Sequence, residues 1–234
     1  MTAVFETMRV RGGTIPLLER HLARFHANWH LANLEPPPSD IVRRVSEKLS
    51  ERSDDHALRM EWDGSDLVFA ARDLPDLNPI TLVTSQVRHE GYTVKTTDRE
   101  QFDRARAEAR DAGADEALML TGDGFVAEGS LFAICWIAEG ELYVASLDLG
   151  ILPSIGRARV IEIAKGEGEG GGIAVHEGRY RREELDGRAV FITTSVRGVV
   201  PVKSLDGVTV PEDDIIQGLG ELFWPVVDPL EGHH

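Results

Sequence analysis

The apolar and polar positions of the first seventy residues alternate between the period of a strand and that of a helix. Ala3–Val10 (AVFETMRV) interleaves apolar and polar side chains as a half-buried strand does, and Arg11-Gly12-Gly13-Thr14 reads as a turn into a second short strand, so a hairpin is expected to open the chain. Over Pro16–His30 the period lengthens. Leu17, Leu18, His21, Leu22, Phe25 and Trp29 recur at three- and four-residue spacing, predicting an amphipathic helix with Arg20 and Arg24 on other parts of its surface. Pro36-Pro37-Pro38 breaks that helix, and Asp40 is a suitable cap for a second one, Ile41–Ser50. Two strands, Ala57–Trp62 and Asp66–Ala71, then flank the turn Asp63-Gly64-Ser65.

The stretch 72–79 is rich in turn residues and reads as a link. It divides a small N-terminal α/β domain, 1–80, from a larger C-terminal domain, 81–234. Ile80–Val87 is the next strand, and Gly91-Tyr92-Thr93-Val94 continues in strand-like fashion to Lys95. Asp98, with Gln101 three residues on, has the form of a capping box for a helix reaching Ala112 and closed by Gly113. Lys95 is thus expected just ahead of a helix start. Glu116–Thr121, Phe125–Glu128, Leu131–Ile137 and Glu141–Ala145 follow without intervening helices, which predicts a meander or barrel-like sheet and an α+β fold overall. A helix begins near Ser154 and runs to Ala164, leaving its first N–H groups for an anion. The glycines of Gly166–Gly172 are not spaced as a strand–turn–helix fingerprint, so this segment reads as a flexible loop and not a dinucleotide site. Ile173–His176, Ala189–Thr194 and Val199–Val202 complete the sheet, and Asp213–Leu222 is the last helix.

Composition narrows the choices. The chain has 234 residues, 42% hydrophobic, enough for one large or two small cores, and it has no apolar run long enough to span a membrane and no basic-then-apolar leader. It therefore reads as a cytoplasmic protein. A formal charge of −15 repels phosphate backbones and anionic lipid, which excludes nucleic acid and membrane as partners. The same field opposes a carboxylate-bearing substrate, so arginines would have to meet such a ligand locally. The single cysteine, Cys135, rules out an internal disulfide and any multi-cysteine metal site; among Phe132, Ile134, Trp136 and Ile137 it reads as a buried small hydrophobe. The closing Glu-Gly-His-His is set aside as a tag-like remnant.

Chemistry centres on Lys95. A lysine after an apolar run and before a helix start can hold its amine at a fixed depth in a cleft, as condensation with an aldehyde requires; taken alone, the same residue also reads as a surface lysine that snorkels. Four further stretches bear on the choice. Phe5-Glu6-Thr7-Met8-Arg9 with Leu18-Glu19-Arg20-His21-Leu22-Ala23-Arg24-Phe25 resembles the opening of the class IV, fold-type IV pyridoxal-phosphate enzymes, and Lys95-Thr96-Thr97-Asp98-Arg99 resembles their lysine motif. Gly113–Leu118 followed by Val126-Ala127-Glu128-Gly129-Ser130 is similar to their glutamate hairpin, and Leu147–Pro153 and Thr194–Val202 complete the order. The resemblance covers essentially the whole chain.

That family includes branched-chain and D-amino-acid aminotransferases and aminodeoxychorismate lyase. The resemblance implies two α/β domains, the N-terminal a small sandwich and the C-terminal built on a barrel-like sheet, with pyridoxal 5'-phosphate between them, in a homodimer. It further implies that Lys95 links to the cofactor and later moves the substrate's Cα proton, while Glu128 pairs with the pyridine nitrogen. Arg24 in its His-x-x-Arg setting, the N–H groups of Ile155 and Gly156, and the Ser195 hydroxyl fall at phosphate-contact positions. Arg99 and Arg197 become candidates for carboxylates of a small amino- and carboxylate-bearing substrate, and Thr7 for a hydroxyl facing the cofactor.

Within the family, the lysine motif and Ser195-Val196-Arg197-Gly198-Val199-Val200-Pro201 look more like the lyases, which convert 4-amino-4-deoxychorismate to 4-aminobenzoate and pyruvate, than like the branched-chain aminotransferases. An amino-acid transaminase and a degenerate relative that binds without turnover are the alternatives. Ser154-Ile155-Gly156-Arg157 stands where the family usually has Gly-Ile-Thr-Arg, Ala133 stands for an Asn, Ala145-Ser146 for Thr-Pro, and the usual lead-in before Phe5 is absent.

Overall fold

A computed structural model describes residues 2–166 and 172–225; the glycine-rich segment 167–171 and the closing Glu-Gly-His-His lie outside the described residues. The chain folds as two compact units, Met1–Asp76 with Val94–Asp98 and Trp224–His234, and Leu77–Thr93 with Arg99–Phe223. The chain passes between units after Asp76. The short Lys95 segment, however, joins the first unit instead of the second.

The first unit is a three-stranded antiparallel sheet, β1 (Val4–Val10), β2 (His56–Trp62) and β3 (Leu67–Arg72), covered on one face by α1 (Leu18–Leu31) and α2 (Ile41–Leu49). Alternation along β1 sends Val4, Met8 and Val10 into a core with Phe25, Ile41, Val45, Leu58, Met60 and Trp62. The expected opening hairpin does not form. Arg11 and Thr14 make one isolated bridge, and β1 pairs along its whole length with β2, from Val4↔Trp62 to Val10↔His56. The reason lies just downstream, where Ile15 and Leu17 are buried and lead directly into α1. Asp40 precedes α2 as expected but makes no side-chain cap; its carboxylate accepts from the guanidinium groups of Arg43 and Arg44, charged donors that outcompete a backbone N–H.

The second unit contains β4 (Ile80–His89), α3 (Glu100–Asp111), β5 (Glu116–Thr121), β6 (Val126–Gly129), β7 (Ala133–Ala138), β8 (Glu141–Ala145), α4 (Ile155–Ala164), β9 (Val175–Gly178), β10 (Ala189–Thr194), β11 (Gly198–Leu205), β12 (Val208–Thr209) and α5 (Asp214–Leu222). Among the described residues the sheet runs β6-β5-β4-β11-β10-β7-β8-β9, with β12 on β11. It is therefore a mixed sheet and not a meander. β5 is parallel to β4 through the α3 crossover, β11 is parallel to β4, and β9 is parallel to β8. Consecutive β6 and β7 are not neighbours in this order although they touch, and the chain between them bends at residues 130–132.

Two local expectations for α3 fail. Its first residue is Glu100 and no side chain caps it, because the Gln101 amide is used upstream, accepting from the Glu90 N–H at 2.9 Å and donating to the Gly91 carbonyl at 3.2 Å. Gly91–Val94 is not a strand either; Gly91 is left-handed (φ 94°) and the Tyr92 N–H donates to the Gly150 carbonyl at 2.8 Å. The end of α3 is as read, with Ala112 as C-cap and Gly113 following at φ 74°. Cys135 is fully buried on β7, and burial pushes its thiol up to about 12, the behaviour of a packed hydrophobe.

At the β6 corner, a Cβ on Gly129 would come within 2.0 Å of the buried Phe132 ring. Gly129→Ala is expected to destabilise the chain by roughly 2–3 kcal/mol or more through forced repacking, read as a fall in the denaturant midpoint.

Candidate active site

In the first unit the site is organised around β1. Glu6 projects from the core-facing side of β1, where its carboxylate is fully buried. α1 carries His21 and Arg24 three residues apart, hence on one face. Arg24 donates from Nε to Glu6 Oε1 at 2.8 Å and from Nη2 to Oε2 at 2.7 Å, and His21 Nδ1 lies 2.7 Å from Oε2. Arg24, expected away from the apolar stripe, is thus turned back against the strand. Burial raises the Glu6 carboxyl, but the charge and hydrogen bonds of Arg24, with those of His21, outweigh it and hold the group at about 2. Burial also lowers His21, against the pull of the Glu6 carboxylate that its Nδ1 faces. His21 Nε2 is buried with no partner among the described residues.

The opposite face of β1 presents Phe5, Thr7 and Arg9. Against this strand the segment Val94–Asp98 is fastened by backbone bonds. The Phe5 N–H donates to the Lys95 carbonyl at 3.1 Å, the Thr97 N–H to the Ala3 carbonyl at 2.8 Å, and the Ala3 N–H to Thr97 Oγ1 at 2.9 Å. Lys95 Nζ lies 4.5 Å from the centroid of the Phe5 ring, and the Arg59 guanidinium 3.7 Å from the same ring. Lys95 thus lies against Phe5, while Arg24 pairs with Glu6.

In the second unit Glu128 sits on β6 and is buried. Its Oε1 accepts from His89 Nε2 at 2.8 Å and from the Leu152 N–H at 3.1 Å. Because His89 Nδ1 accepts from the Gly91 N–H at 3.2 Å, the ring proton is on Nε2 and His89 is a donor to Glu128. Among the described residues no group donates to Glu128 Oε2.

α4 opens with Ser154 as N-cap, its hydroxyl accepting from the Arg157 N–H at 3.4 Å. Ile155 and Gly156 are the first two helical residues, whose N–H groups have no intrahelical acceptor. A Cβ on Gly156 would lie 2.7 Å from Thr193 Oγ1 and 3.0 Å from the Thr194 nitrogen, so the helix start is pressed against the end of β10. Ser195 is in the turn that follows, where Thr194 Oγ1 accepts from the N–H groups of Val196 (3.2 Å) and Arg197 (2.8 Å). Arg197 reaches the Asn78 carbonyl at 3.4 Å. Arg99 donates to the Ser130 carbonyl and to the Tyr92 hydroxyl, and stacks on Phe102 at 4.6 Å. Thus Glu128, Ile155, Gly156, Ser195, Arg99 and Arg197 belong to one unit and Lys95, Arg24 and Thr7 to the other.

Sequence reasoning misses partnerships more than residues. Glu6 and His21 fall within the motifs that carry the resemblance, but their pairing with each other and with Arg24 is not visible there. His89 has no signal of its own, since the two residues by which β4 exceeds its expected end are what bring it to Glu128. Among the described residues no group of three or more metal-ligating side chains exists, and no helix is long and apolar enough to cross a membrane.

A family model for "Amino-transferase class IV" matches residues 3–205. A probable branched-chain-amino-acid aminotransferase of Thermotoga maritima is 33% identical over 174 residues, 70% of this chain and 62% of its own length. The aminodeoxychorismate lyase of Bacillus subtilis is 35% identical over 103 residues, 42% of this chain and 34% of its own. The aligned part of the chain therefore spans less than two thirds of either relative. Among solved structures, a putative branched-chain amino acid aminotransferase from Thermotoga maritima superposes with a TM-score of 0.85 at 27% identity, covering 95% of this chain and 84% of that one. A T.th. branched-chain amino acid aminotransferase complexed with N-(5'-phosphopyridoxyl)-L-glutamate superposes at 0.81 with 25% identity, covering 94% and 83%.

The buried triad predicts a pH dependence. Glu6 is depressed in the folded state, so its contribution to stability is complete above its ordinary value of 4.5 and is lost as pH falls toward 2. Glu6→Gln is expected to cost roughly 3 kcal/mol at neutral pH, by stranding the Arg24 charge, and to flatten the acid unfolding profile in that window. A variant profile parallel to that of the wild type would contradict the assignment.

Proposed function

Because the chain belongs to the class IV aminotransferase family, we propose that it is a pyridoxal 5'-phosphate enzyme and, within that family, an aminodeoxychorismate lyase. The observation that carries the cofactor reading is Glu128, a buried carboxylate whose Oε1 is fixed by His89 and the Leu152 N–H while Oε2 is offered to a further donor. A protonated ring nitrogen is such a donor. Lys95 supplies a primary amine for an aldehyde, and the start of α4 offers two N–H groups with no acceptor among the described residues for a phosphate, so the residues fit the group. Pyridoxal phosphate is the ligand implied by the N-(5'-phosphopyridoxyl)-L-glutamate complex of the T.th. enzyme.

When bound, the cofactor withdraws electrons from the substrate carbon that carries the amine. The chain's own residues do the rest. Lys95 Nζ takes the proton from that carbon, and Glu128, oriented by its two donors, holds the ring-nitrogen proton in place. Arg24, oriented by Glu6, contributes positive charge toward phosphate, with Ser195 and the N–H groups of Ile155 and Gly156 as further donors. Arg197 is the first candidate for a substrate carboxylate and Thr7 for a hydroxyl near the reacting carbon. Arg99 is the second carboxylate candidate, although its guanidinium already serves the Ser130 carbonyl. Loss of the proton, departure of the enolpyruvyl group and its tautomerisation give pyruvate and an aromatic amine. A homodimer is part of the proposal.

The lyase choice rests on the Lys95-Thr96-Thr97-Asp98-Arg99 and Ser195–Pro201 motifs. The longer alignment with the Thermotoga aminotransferase favours the second reading, an amino-acid transaminase. The experiment separates them. Purified chain incubated with pyridoxal phosphate is expected to develop a protein-bound visible absorption band that Lys95→Ala removes. Supplied with chorismate and an amine-donating synthase, it is expected to release 4-aminobenzoate and pyruvate. Glutamate-dependent amination of a 2-oxo acid without 4-aminobenzoate would move the assignment to the transaminase, and a chain that never binds the cofactor would leave only a relative without turnover.

A further inference from the structure

His89 ends β4, and its imidazole is fully enclosed, while the side chain of Glu128 beside it keeps 7% exposure. Whatever reaches this place from solvent meets the carboxylate and not the ring. The ring is held on three sides. Its Nε2 lies 2.8 Å from Glu128 Oε1, its Nδ1 accepts from the Gly91 N–H at 3.2 Å, and its face meets Phe102 in a T-shaped contact with centroids 5.9 Å apart. Phe102 and Leu152, whose N–H is the other donor to Oε1, belong to one hydrophobic cluster. Both donors are thus seated on the same packed core.

The Gly91 N–H decides what kind of donor His89 is. An imidazolium carries a proton on each nitrogen and would set N–H against N–H at Nδ1, whereas the neutral ring with its proton on Nε2 satisfies Gly91 and Glu128 together. Gly91 presents that N–H from a left-handed backbone (φ 94°), and its carbonyl is held by the Gln101 amide at 3.2 Å. The consequence is electrostatic. Arg24 gives Glu6 a counter-ion, but His89 turns the Glu128 carboxylate without cancelling its charge, and among the described residues no arginine or lysine forms an ion pair with Glu128.

We infer that His89 is a positioning residue for Glu128: donating from Nε2 as a neutral ring, it aims the second carboxylate oxygen and leaves it an uncompensated anion, so that a ring nitrogen carrying a proton is selected over an isosteric C–H. The inference deepens the pyridoxal-phosphate reading and rests on it for the identity of the ring. Because its own ring is enclosed, His89 acts on a ligand only through Glu128.

The test uses the full chain freed of cofactor, with two probes whose affinities are read by calorimetry: pyridoxal 5'-phosphate and its deaza analogue, in which a C–H replaces the ring nitrogen. The wild type is expected to bind pyridoxal phosphate more tightly, because only that ring supplies a donor to Glu128. His89→Leu removes the Nε2 donor and is expected to lose roughly tenfold of this preference, the size of one hydrogen bond to a charged group, with affinity for the analogue unchanged. His89→Gln, whose amide can place an N–H where Nε2 was, is expected to keep it. A His89→Leu protein with the wild-type preference overturns the inference, and so does one that weakens both ligands alike, which is the mark of a merely structural role. Should His89→Leu fold poorly, nitrogen NMR of the wild type with pyridoxal phosphate bound reads the ring directly, the His89 signals being assigned by their loss in His89→Gln. A protonated Nε2 and a bare Nδ1 are expected; an imidazolium or the opposite tautomer overturns the inference. If the wild type bound neither aldehyde, the cofactor reading would fail and this inference with it, whereas a wild type that binds both equally overturns the inference alone.

Discussion

A carboxylate withdrawn from water constrains the first unit more than any other group. Glu6 is a charge inside a core of Val4, Met8, Phe25 and Met60, and an isolated buried carboxylate costs far more than a small domain's net stability. The structure offsets that cost with a bidentate guanidinium and an imidazole, both from α1. The helix can therefore sit on β1 only in the register that brings His21 and Arg24 to positions 2.7–2.8 Å from Glu6. With that register set, alternation along β1 leaves Phe5 and Thr7 facing the other way. There the Val94–Asp98 segment delivers Lys95.

The two buried carboxylates are held differently by their surroundings. Glu6 has both oxygens occupied by its own chain and no capacity to spare. Glu128 is held through one oxygen only, by a histidine whose tautomer is dictated by the Gly91 N–H and by the backbone N–H of Leu152. Such one-sided fixing orients a carboxylate without exhausting it. The second oxygen keeps its full capacity to accept.

Much of this is legible in the amino-acid sequence, for identifiable reasons. Helices α1, α4 and α5 and strands β2, β5, β8 and β10 follow from local periodicity and turn residues, which act within a few positions of one another. Reading fails where long-range partners compete with local signals. Asp40 and Gln101 look like caps, yet one prefers guanidinium groups and the other reaches back to Glu90 and Gly91. The mixed strand order is hidden because parallel pairing of β4 with β5 and β11 depends on which strands meet, and the hydrophobic pattern of a strand does not encode its neighbour. At the site, Lys95 and Glu128 stand out through the order of motifs. His89 does not, because its significance lies in one hydrogen bond to Glu128.

The passage of Val94–Asp98 into the first unit has a consequence for how the chain is assembled during synthesis. The compact unit that begins at the N-terminus is not finished when residue 76 emerges; the segment that pairs with Ala3 and Phe5 follows only after the strand Ile80–His89, which belongs elsewhere. Closing that contact spans about ninety residues, a loop whose entropy must be met after the local helices have formed. Lys95 is thus carried on one of the late-forming contacts of its unit, and its amine reaches a defined position only once both stretches of chain have been made.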